Sequence, residues 1–252
     1  MEASNSRYTN DGMPSPDENG WIPTLNGMGW MTSSIDFVAR QFIDFSATAA
    51  HPVVDIGCAY GSVALESLMT GATVIAIDAD SRHLKILLSR AGQALDSRLD
   101  LICGYFPEVE ICGPISAAYA GRIFHFLNGP DLEKAAHSLF NSLANGGKVF
   151  VMADSPYRGT TRSFIEEYEH RERAGARWPG YIEDISKYNE FAASNRSSLP
   201  EWMHLLDPKV LSRTFKEAGF AIELAEFVSR EDLPAMLHHD GREGVALIAR
   251  KP

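Results

Sequence analysis

Cysteine is scarce in this chain, and the spacing of the few cysteines argues against a zinc-binding protein and against a disulfide-rich one. Only 3 cysteines occur among 252 residues. Their positions, 58, 103 and 112, fit neither the paired spacing of a zinc site nor a disulfide framework. The cluster His238-His239-Asp240 lacks a second ligand group at recognisable spacing, so we predict a loop there and no metal site. Free buried cysteines suit a reducing compartment, and we expect a cytoplasmic protein.

Positive charge and long apolar runs are also lacking. The 33 acidic residues outnumber the 23 lysines and arginines, which gives a formal net charge of −10. Because phosphate backbones need a basic face, we expect no nucleic-acid partner. No apolar run approaches the roughly 20 residues that cross a bilayer, and the polar N-terminus lacks the pattern of a signal peptide. We therefore expect no membrane partner.

The chain does contain a regular alternation of strand-like and helix-like segments. The short connections between these segments favour an α/β fold, with a parallel sheet covered by helices on both faces. With 45% hydrophobic residues, the chain can bury a sizeable core. The predicted strands are 52–56, 72–77, 98–103, 115–120, 147–153, 220–228 and 243–250, and the predicted helices lie near 61–69, 81–91, 131–144 and 207–218.

The N-terminal part departs from this alternation. Residues 1–20 are polar and are predicted to be a mobile tail. The aromatic segment Trp21–Met31 is broken by glycines, which indicates an ordered arm without regular secondary structure. This arm either forms a lid over a ligand or covers an apolar edge of the domain. Ser33 or Ser34 is then predicted to cap the first helix.

A second departure follows the predicted strand 147–153. Residues 155–206 are polar and aromatic, and their length indicates a functional, cap-like insertion. A charged helix is predicted near 161–175 and a helix-like piece near 182–194. The predicted organisation is a tail and lid arm at 1–32, a core at 33–154 and 207–252, and a cap at 155–206 that forms a substrate pocket.

The most informative segment spans residues 53–61. An apolar strand ends there in Asp55, and small residues then recur at every second position before a run of helix formers. Such a turn allows the backbone to approach a ligand closely. It lacks the Gly-Lys-Ser/Thr ending of a P-loop and the wider glycine spacing of a dinucleotide site. Asp55 would repel a pyrophosphate, and Asp78 ends the next strand where it can bond ribose hydroxyls, so the pair indicates a cationic nucleoside.

In these features the chain resembles the class I S-adenosylmethionine-dependent methyltransferases. The resemblance covers about residues 50–153 and the C-terminal helix and strands. It implies a Rossmann-like methyltransferase sheet, mostly parallel with the last strand antiparallel, and S-adenosylmethionine as cofactor. The motifs that carry it are Asp55-x-Gly57-x-Ala59-x-Gly61, Asp78, Gly104-Tyr105-Phe106-Pro107, Gly121 to Leu127, Leu143 to Lys148 and Ala218-Gly219-Phe220.

The resemblance also implies roles for individual residues. Asp55 and the glycine turn would hold the methionine end of the cofactor, Asp78 the ribose, and Ala79 would lie beside the adenine. Ala59 stands where the family usually has a glycine, and Tyr105 lies where the family often has an acid. The predicted cofactor-binding residues are Asp55, Gly57, Cys58, Ala59, Gly61, Asp78, Ala79, Tyr105, Phe106, Ala120 and Gly121.

The acceptor end of the site is less constrained by the sequence. In methyl transfer the protein mainly positions the nucleophile and excludes water. A hydroxyl nucleophile needs a nearby base, for which we predict His125 or His204, whereas a carboxylate or thiolate needs only alignment. His125 could instead be a core histidine. The predicted substrate-binding residues are Trp30, Arg122, Tyr157, Tyr181 and Trp202; Arg158 and Arg162 are further candidates for the pocket wall.

These observations predict an S-adenosylmethionine-dependent methyltransferase that acts on a small molecule. The size and place of the insertion favour an O- or N-methyltransferase of secondary metabolism. Two alternatives stay open: a protein or peptide methyltransferase with an open groove, and a non-catalytic S-adenosylmethionine-binding scaffold or regulatory protein. A homodimer also stays open as its assembly. A ligand-sized cavity lined by the insertion would favour the small-molecule enzyme.

Overall fold

The computed structural model describes residues 8–9, 11–18, 20–188 and 200–252. None of the helices in these ranges is long and apolar enough to span a bilayer. The strands are β1 (Trp21–Pro23), β2 (Trp30–Thr32), β3 (Val53–Ile56), β4 (Val74–Asp78), β5 (Leu99–Cys103), β6 (Ile115–Gly121), β7 (Leu143–Asp154), β8 (Tyr181–Ile182), β9 (Met203–His204), β10 (Ala221–Val228) and β11 (Gly244–Arg250). The helices are α1 (Phe37–Ser46), α2 (Ser62–Met69), α3 (Ser81–Ala91), α4 (Gly129–Ser142), α5 (Ile165–Arg173) and α6 (Pro208–Glu217).

Seven strands form the central sheet, in the order β10-β11-β7-β6-β3-β4-β5. The pairs from β7 to β5 are all parallel, whereas β11 runs antiparallel to both of its neighbours. Parallel neighbours need crossover connections, and the helices between the strands supply them. The predicted fold, a Rossmann-like sheet that is mostly parallel with the last strand antiparallel, is confirmed.

Helices cover both faces of this sheet, because successive side chains of a strand point to opposite sides. On one face, Val54 and Ile56 of β3 belong to an apolar cluster with residues of α4 and α6. On the other face, Val53 packs in a cluster with residues of α1, α2 and α3. The strands buried on both faces are therefore mainly apolar, as the sequence pattern indicated, with Asp55 in β3 and Asp78 in β4 as acidic exceptions.

Two predicted boundaries are wrong. Helix α1 begins after Asp36 and not after a serine, because the Asp36 side chain accepts the backbone N–H groups of Val38 and Ala39 at 3.0 and 2.9 Å. Strand β7 begins at Leu143, four residues before the predicted start at 147. The early start includes a register shift, because Leu143 pairs with Ile115 and Lys148 with Ala117, so β7 has extra residues opposite β6.

The arm has regular secondary structure, contrary to the prediction. Strands β1 and β2 form an antiparallel hairpin in which Trp21 pairs with Thr32. Part of the predicted tail lies outside the described residues. Within its described part Tyr8 bridges Pro14, and the Asp17 N–H ties this part to the arm by donating to the Trp21 carbonyl at 2.8 Å.

The insertion has an apolar cluster of its own. A 3₁₀ segment, Gly159–Phe164, leads into α5. The predicted helix-like piece at 182–194 lies partly outside the described residues, and its described part is a single 3₁₀ turn, Ile185–Lys187. Strands β8 and β9 pair with each other beneath this turn in an antiparallel ribbon. The buried members of the cluster are Tyr157, Phe164, Tyr168, Ile182, Ile185, Met203 and Leu205.

Candidate functional site

The turn after β3 depends on two glycines. Gly57 and Gly61 have φ angles of +69° and +79°, a region that L side chains rarely adopt. A Cβ atom at Gly57 would lie 2.1 Å from Ile123 Cδ1, and one at Gly61 would lie 2.1 Å from Leu87 Cδ1. Ala59 between them has a φ of +45° despite its Cβ. The turn therefore follows a tight path that closely packed neighbours require.

Asp78 at the end of β4 organises the turn. Its Oδ2 accepts the Ala59 N–H at 2.9 Å. Its Oδ1 accepts the Asp80 N–H at 2.8 Å and lies 2.9 Å from His83 Nδ1. A carboxylate offers about four acceptor positions, so these three bonds leave one for a ligand in the cavity. Asp78 thus combines a structural role with acceptor capacity of the kind that a ribose hydroxyl requires.

His83 is a residue of the site that the sequence did not reveal. Its side chain is buried in the first turn of α3, between Asp78 and the arm. Its Nε2 accepts the Leu25 N–H at 2.9 Å, which places the proton on Nδ1, where it is donated to Asp78. The local signal was a single histidine five residues after Asp78. Its partner Leu25 lies 58 positions away, so no local pattern connects them.

Other bonds fix the arm beside the turn. The hydroxyl of the fully buried Tyr60 donates to the Pro23 carbonyl at 2.7 Å. The Arg82 guanidinium donates to the Leu25 carbonyl at 2.5 Å. Trp30 and Met31 of the arm face the same cavity as Asp78. The arm is therefore anchored to the turn after β3 and to helix α3.

A cavity of about 740 Å³ extends from the glycine turn to the insertion. This volume lies within the range of ligand and cofactor sites, roughly 300–1,000 Å³. The insertion contributes Arg158, Thr160, Thr161, Ile185, Pro200 and Met203 to its wall. The predicted site residues that line the cavity are Trp30, Gly57, Ala59, Asp78, Ala79, Tyr105, Phe106, Gly121, Arg122 and His125.

The other predicted cofactor residues, Asp55, Cys58, Gly61 and Ala120, are not part of the cavity wall. Asp55 lies behind the turn with 3% of its surface exposed. Burial raises the pKa of its carboxyl to about 7, although the Ala64 N–H opposes this shift. Burial likewise raises the pKa of the Cys58 thiol. These residues belong to the turn and to the strands behind it and do not line the cavity.

His125 faces the cavity from a 3₁₀ turn after β6. Its Nδ1 accepts the backbone N–H of Asp154 at 3.3 Å, which places the proton of the neutral ring on Nε2. Burial lowers the pKa of His125 to about 4, against the attraction of the Asp154 carboxylate. At neutral pH the ring is therefore uncharged, and its free nitrogen is a hydrogen-bond donor.

The structure does not bring His204, Tyr157, Tyr181 and Trp202 to the cavity wall. His204 Nδ1 lies 3.0 Å from the Leu127 carbonyl, and burial lowers its pKa to about 4. The Tyr157 hydroxyl donates to Glu169 at 3.3 Å. The rings of Tyr181 and Trp202 pack on each other with centroids 5.7 Å apart. These contacts of Tyr157, Tyr181 and Trp202 lie within the insertion, whereas His204 joins the insertion to the core at Leu127.

Comparisons with known proteins agree with this architecture. Residues 53–147 match the family model described as a methyltransferase domain. No curated protein matches the chain. A solved S-adenosylmethionine-dependent methyltransferase from Mesorhizobium loti has a TM-score of 0.62 at 15% identity, covering 86% of this chain and 100% of the other.

Two further solved structures share the fold. A methyltransferase from Methanosarcina mazei has a TM-score of 0.57 at 15% identity, covering 80% of this chain and 92% of its own. The glycopeptide N-methyltransferase MtfA, in complex with S-adenosylmethionine, has a TM-score of 0.56 at 16% identity, covering 85% and 92%. Residues 53–147 therefore carry a methyltransferase domain, and the fold around them is the one seen in solved S-adenosylmethionine-dependent methyltransferases.

Proposed function

We propose that the cavity binds S-adenosylmethionine beside the glycine turn and a small molecule beside the insertion. The product would be an O- or N-methylated compound of secondary metabolism. The observation that carries this proposal is the shared cavity, because one space joins Asp78 to residues of the arm and of the insertion. A methyltransferase for folded proteins would instead present an open groove at the acceptor end.

The residues at the turn fit the cofactor. Asp78 keeps one acceptor position for a ribose hydroxyl, and Ala59 and Ala79 leave space at the wall. Ile77 and Phe106 supply apolar surface on which an adenine ring could pack. When bound, S-adenosylmethionine supplies an electrophilic methyl group, and the protein's contribution is to position the acceptor.

His125 would act on the substrate as a hydrogen-bond donor. A general base works best with a pKa near the operating pH, and the pKa of His125 lies near 4. The bond from the Asp154 N–H also occupies its lone pair. We therefore favour an acceptor that is already nucleophilic, such as a neutral amine or a carboxylate, over an alkyl hydroxyl. Such an acceptor needs no histidine base at the cavity wall.

The proposal is tested in two steps. Calorimetry with S-adenosylhomocysteine should give one site per chain, and transfer of radioactive methyl groups to a small-molecule extract should give labelled products. Label that appears only in protein would instead support the protein or peptide methyltransferase. Binding with no transfer to either fraction would support the non-catalytic scaffold.

A further inference from the structure

A group of charged residues lies at the acceptor end of the cavity. Asp154 ends β7 and is 2% exposed, and its Oδ2 lies 2.9 Å from Arg158 Nη1. Its Oδ1 lies 3.8 Å from Arg122 Nε. Arg230 is 3% exposed and pairs with Asp232 through two bonds of 2.8 Å. We call Arg122, Arg158 and Arg230 the arginine triad; all three line the cavity.

Several buried donors around the triad lack partners. Among the described residues, Arg122 Nε, Arg158 Nε and Arg230 Nη1 make no hydrogen bond. The same is true of the hydroxyls of Thr160 and Thr161, which line the same end of the cavity. Buried polar atoms are nearly always paired, because an unpaired buried donor is costly. Five such donors occur in residues of the cavity wall, beside one unpaired buried acceptor, Asp154 Oδ1, and a bound group that accepts hydrogen bonds would satisfy the donors that it reaches.

Of the three arginines, Arg122 has the longest ion pair with a carboxylate. Asp154 is taken by Arg158, and Asp232 by Arg230. Two further acids are near the triad: Asp36 caps α1, and Glu243 accepts the N–H groups of His239 and Gly241. His125 is neutral at pH 7, and Arg122 has only the 3.8 Å approach to Asp154 and the Trp21 ring at 5.8 Å. Burial accordingly lowers the pKa of Arg122 despite the nearby carboxylate.

We propose that the arginine triad, with Thr160 and Thr161, binds an oxyanion of the substrate, which makes the substrate a small organic anion. The inference rests on the proposed function and specifies its substrate class. A guanidinium matches the geometry of a carboxylate or a phosphate, and hydroxyl donors complete the remaining acceptor positions. The anion would pair with Arg122 more closely than Asp154 does, and it would thereby orient the molecule in the cavity.

The test is a set of calorimetric titrations on enzyme saturated with S-adenosylhomocysteine. The probes are benzoate, phenylacetate and phenyl phosphate, with benzamide and phenylacetamide as neutral matches. At least one anion should bind at least about tenfold more tightly than the neutral probes, as expected of charged hydrogen bonds. The relative affinity of the carboxylates and the phosphate identifies which oxyanion the triad prefers.

Variants separate charge from shape. Arg122→Gln should reduce the preference for the anion to within about twofold, and Arg122→Lys should restore part of it because the charge returns. Arg40→Gln is the matched control, since Arg40 is an exposed arginine of α1 paired with Glu66 outside the cavity wall. It should leave the preference unchanged. Circular dichroism establishes that each variant is folded.

Two results would overturn the inference alone: no anion binds better than the neutral probes, or the folded Arg122→Gln variant keeps the full preference. In the first case the triad is only a structural ion network. If the wild type does not bind S-adenosylhomocysteine, the proposed function fails together with the inference that rests on it. The cofactor titration is performed first, so the two failures are distinguished.

Discussion

The two ends of the cavity satisfy their polar groups in different ways. At the turn end, the Asp78 carboxylate is held by two backbone N–H groups and His83, within hydrogen-bonding distance. At the arginine end, Arg122 and its neighbours retain buried donors without partners in the described part of the chain. The turn end is thus largely complete before a ligand binds, whereas the arginine end is completed by one. The contrast suggests that cofactor recognition is built into the fold and that substrate recognition is carried by a few long side chains.

The largest expected effect comes from removing the acid at the arginine end. Asp154→Asn would leave buried arginines without their carboxylate, and it should lower the free energy of unfolding by about 3–5 kcal/mol. Urea unfolding measures this loss. Asp240→Asn is the control, because its pair with Arg242 is solvent-exposed and should contribute less than about 1 kcal/mol. Equally small losses of stability in both variants would contradict the claim that Asp154 compensates buried arginines.

The next largest effect concerns the buried carboxyl of Asp55 at the turn end. Its pKa is raised above the unfolded value, so the folded state binds the extra proton and stability falls as pH rises from about 4 to 7. Asp55→Asn removes this loss, and the variant should be more stable than wild type at pH 8 by about 2–4 kcal/mol. Urea unfolding at several pH values measures the difference. A difference independent of pH in this window would contradict a buried, raised carboxyl.

Asp78 should affect the cofactor rather than the substrate. Asp78→Ala removes the acceptor proposed for the ribose and leaves the Ala59 N–H unpaired, so S-adenosylhomocysteine should bind more weakly by about 1–3 kcal/mol. Asp100→Ala, at an exposed position on the neighbouring strand β5, is the control and should leave affinity unchanged. Titration calorimetry measures the affinity of each variant for S-adenosylhomocysteine. Equal affinities for wild type and Asp78→Ala would exclude the ribose role.

The smallest effect concerns the alanine in the turn. Ala59 has a positive φ, which costs an L residue roughly 1–2 kcal/mol, while glycine costs more entropy in folding. Ala59→Gly should therefore be neutral or stabilising by about 0.5 kcal/mol. Ala64→Gly, within α2, should instead destabilise by about 1 kcal/mol or more. Thermal unfolding of the two variants measures whether each gains or loses stability. A loss of stability in Ala59→Gly as large as that in Ala64→Gly would contradict the conformational argument.

The sequence predicted the turn end better than the arginine end for a physical reason. The apolar strand, the small residues and Asp78 are close in the chain, and their periodicity reports the local backbone. Asp154 and Arg230 are 76 positions apart in the chain, and they come near each other only because β11 pairs with β7. The same holds for His83 and Leu25, which meet because the arm folds back on α3. The sequence also revealed the aromatic residues of the insertion. It could not show that several of them pack in the insertion's own apolar cluster and do not line the cavity.

The most direct test of the account is a crystal structure of the chain with S-adenosylhomocysteine. A ribose hydroxyl should lie within hydrogen-bond distance of Asp78, and the sulfur should face the end of the cavity lined by Arg122 and His125. A cofactor bound elsewhere, or one that makes no contact with Asp78, would contradict this account.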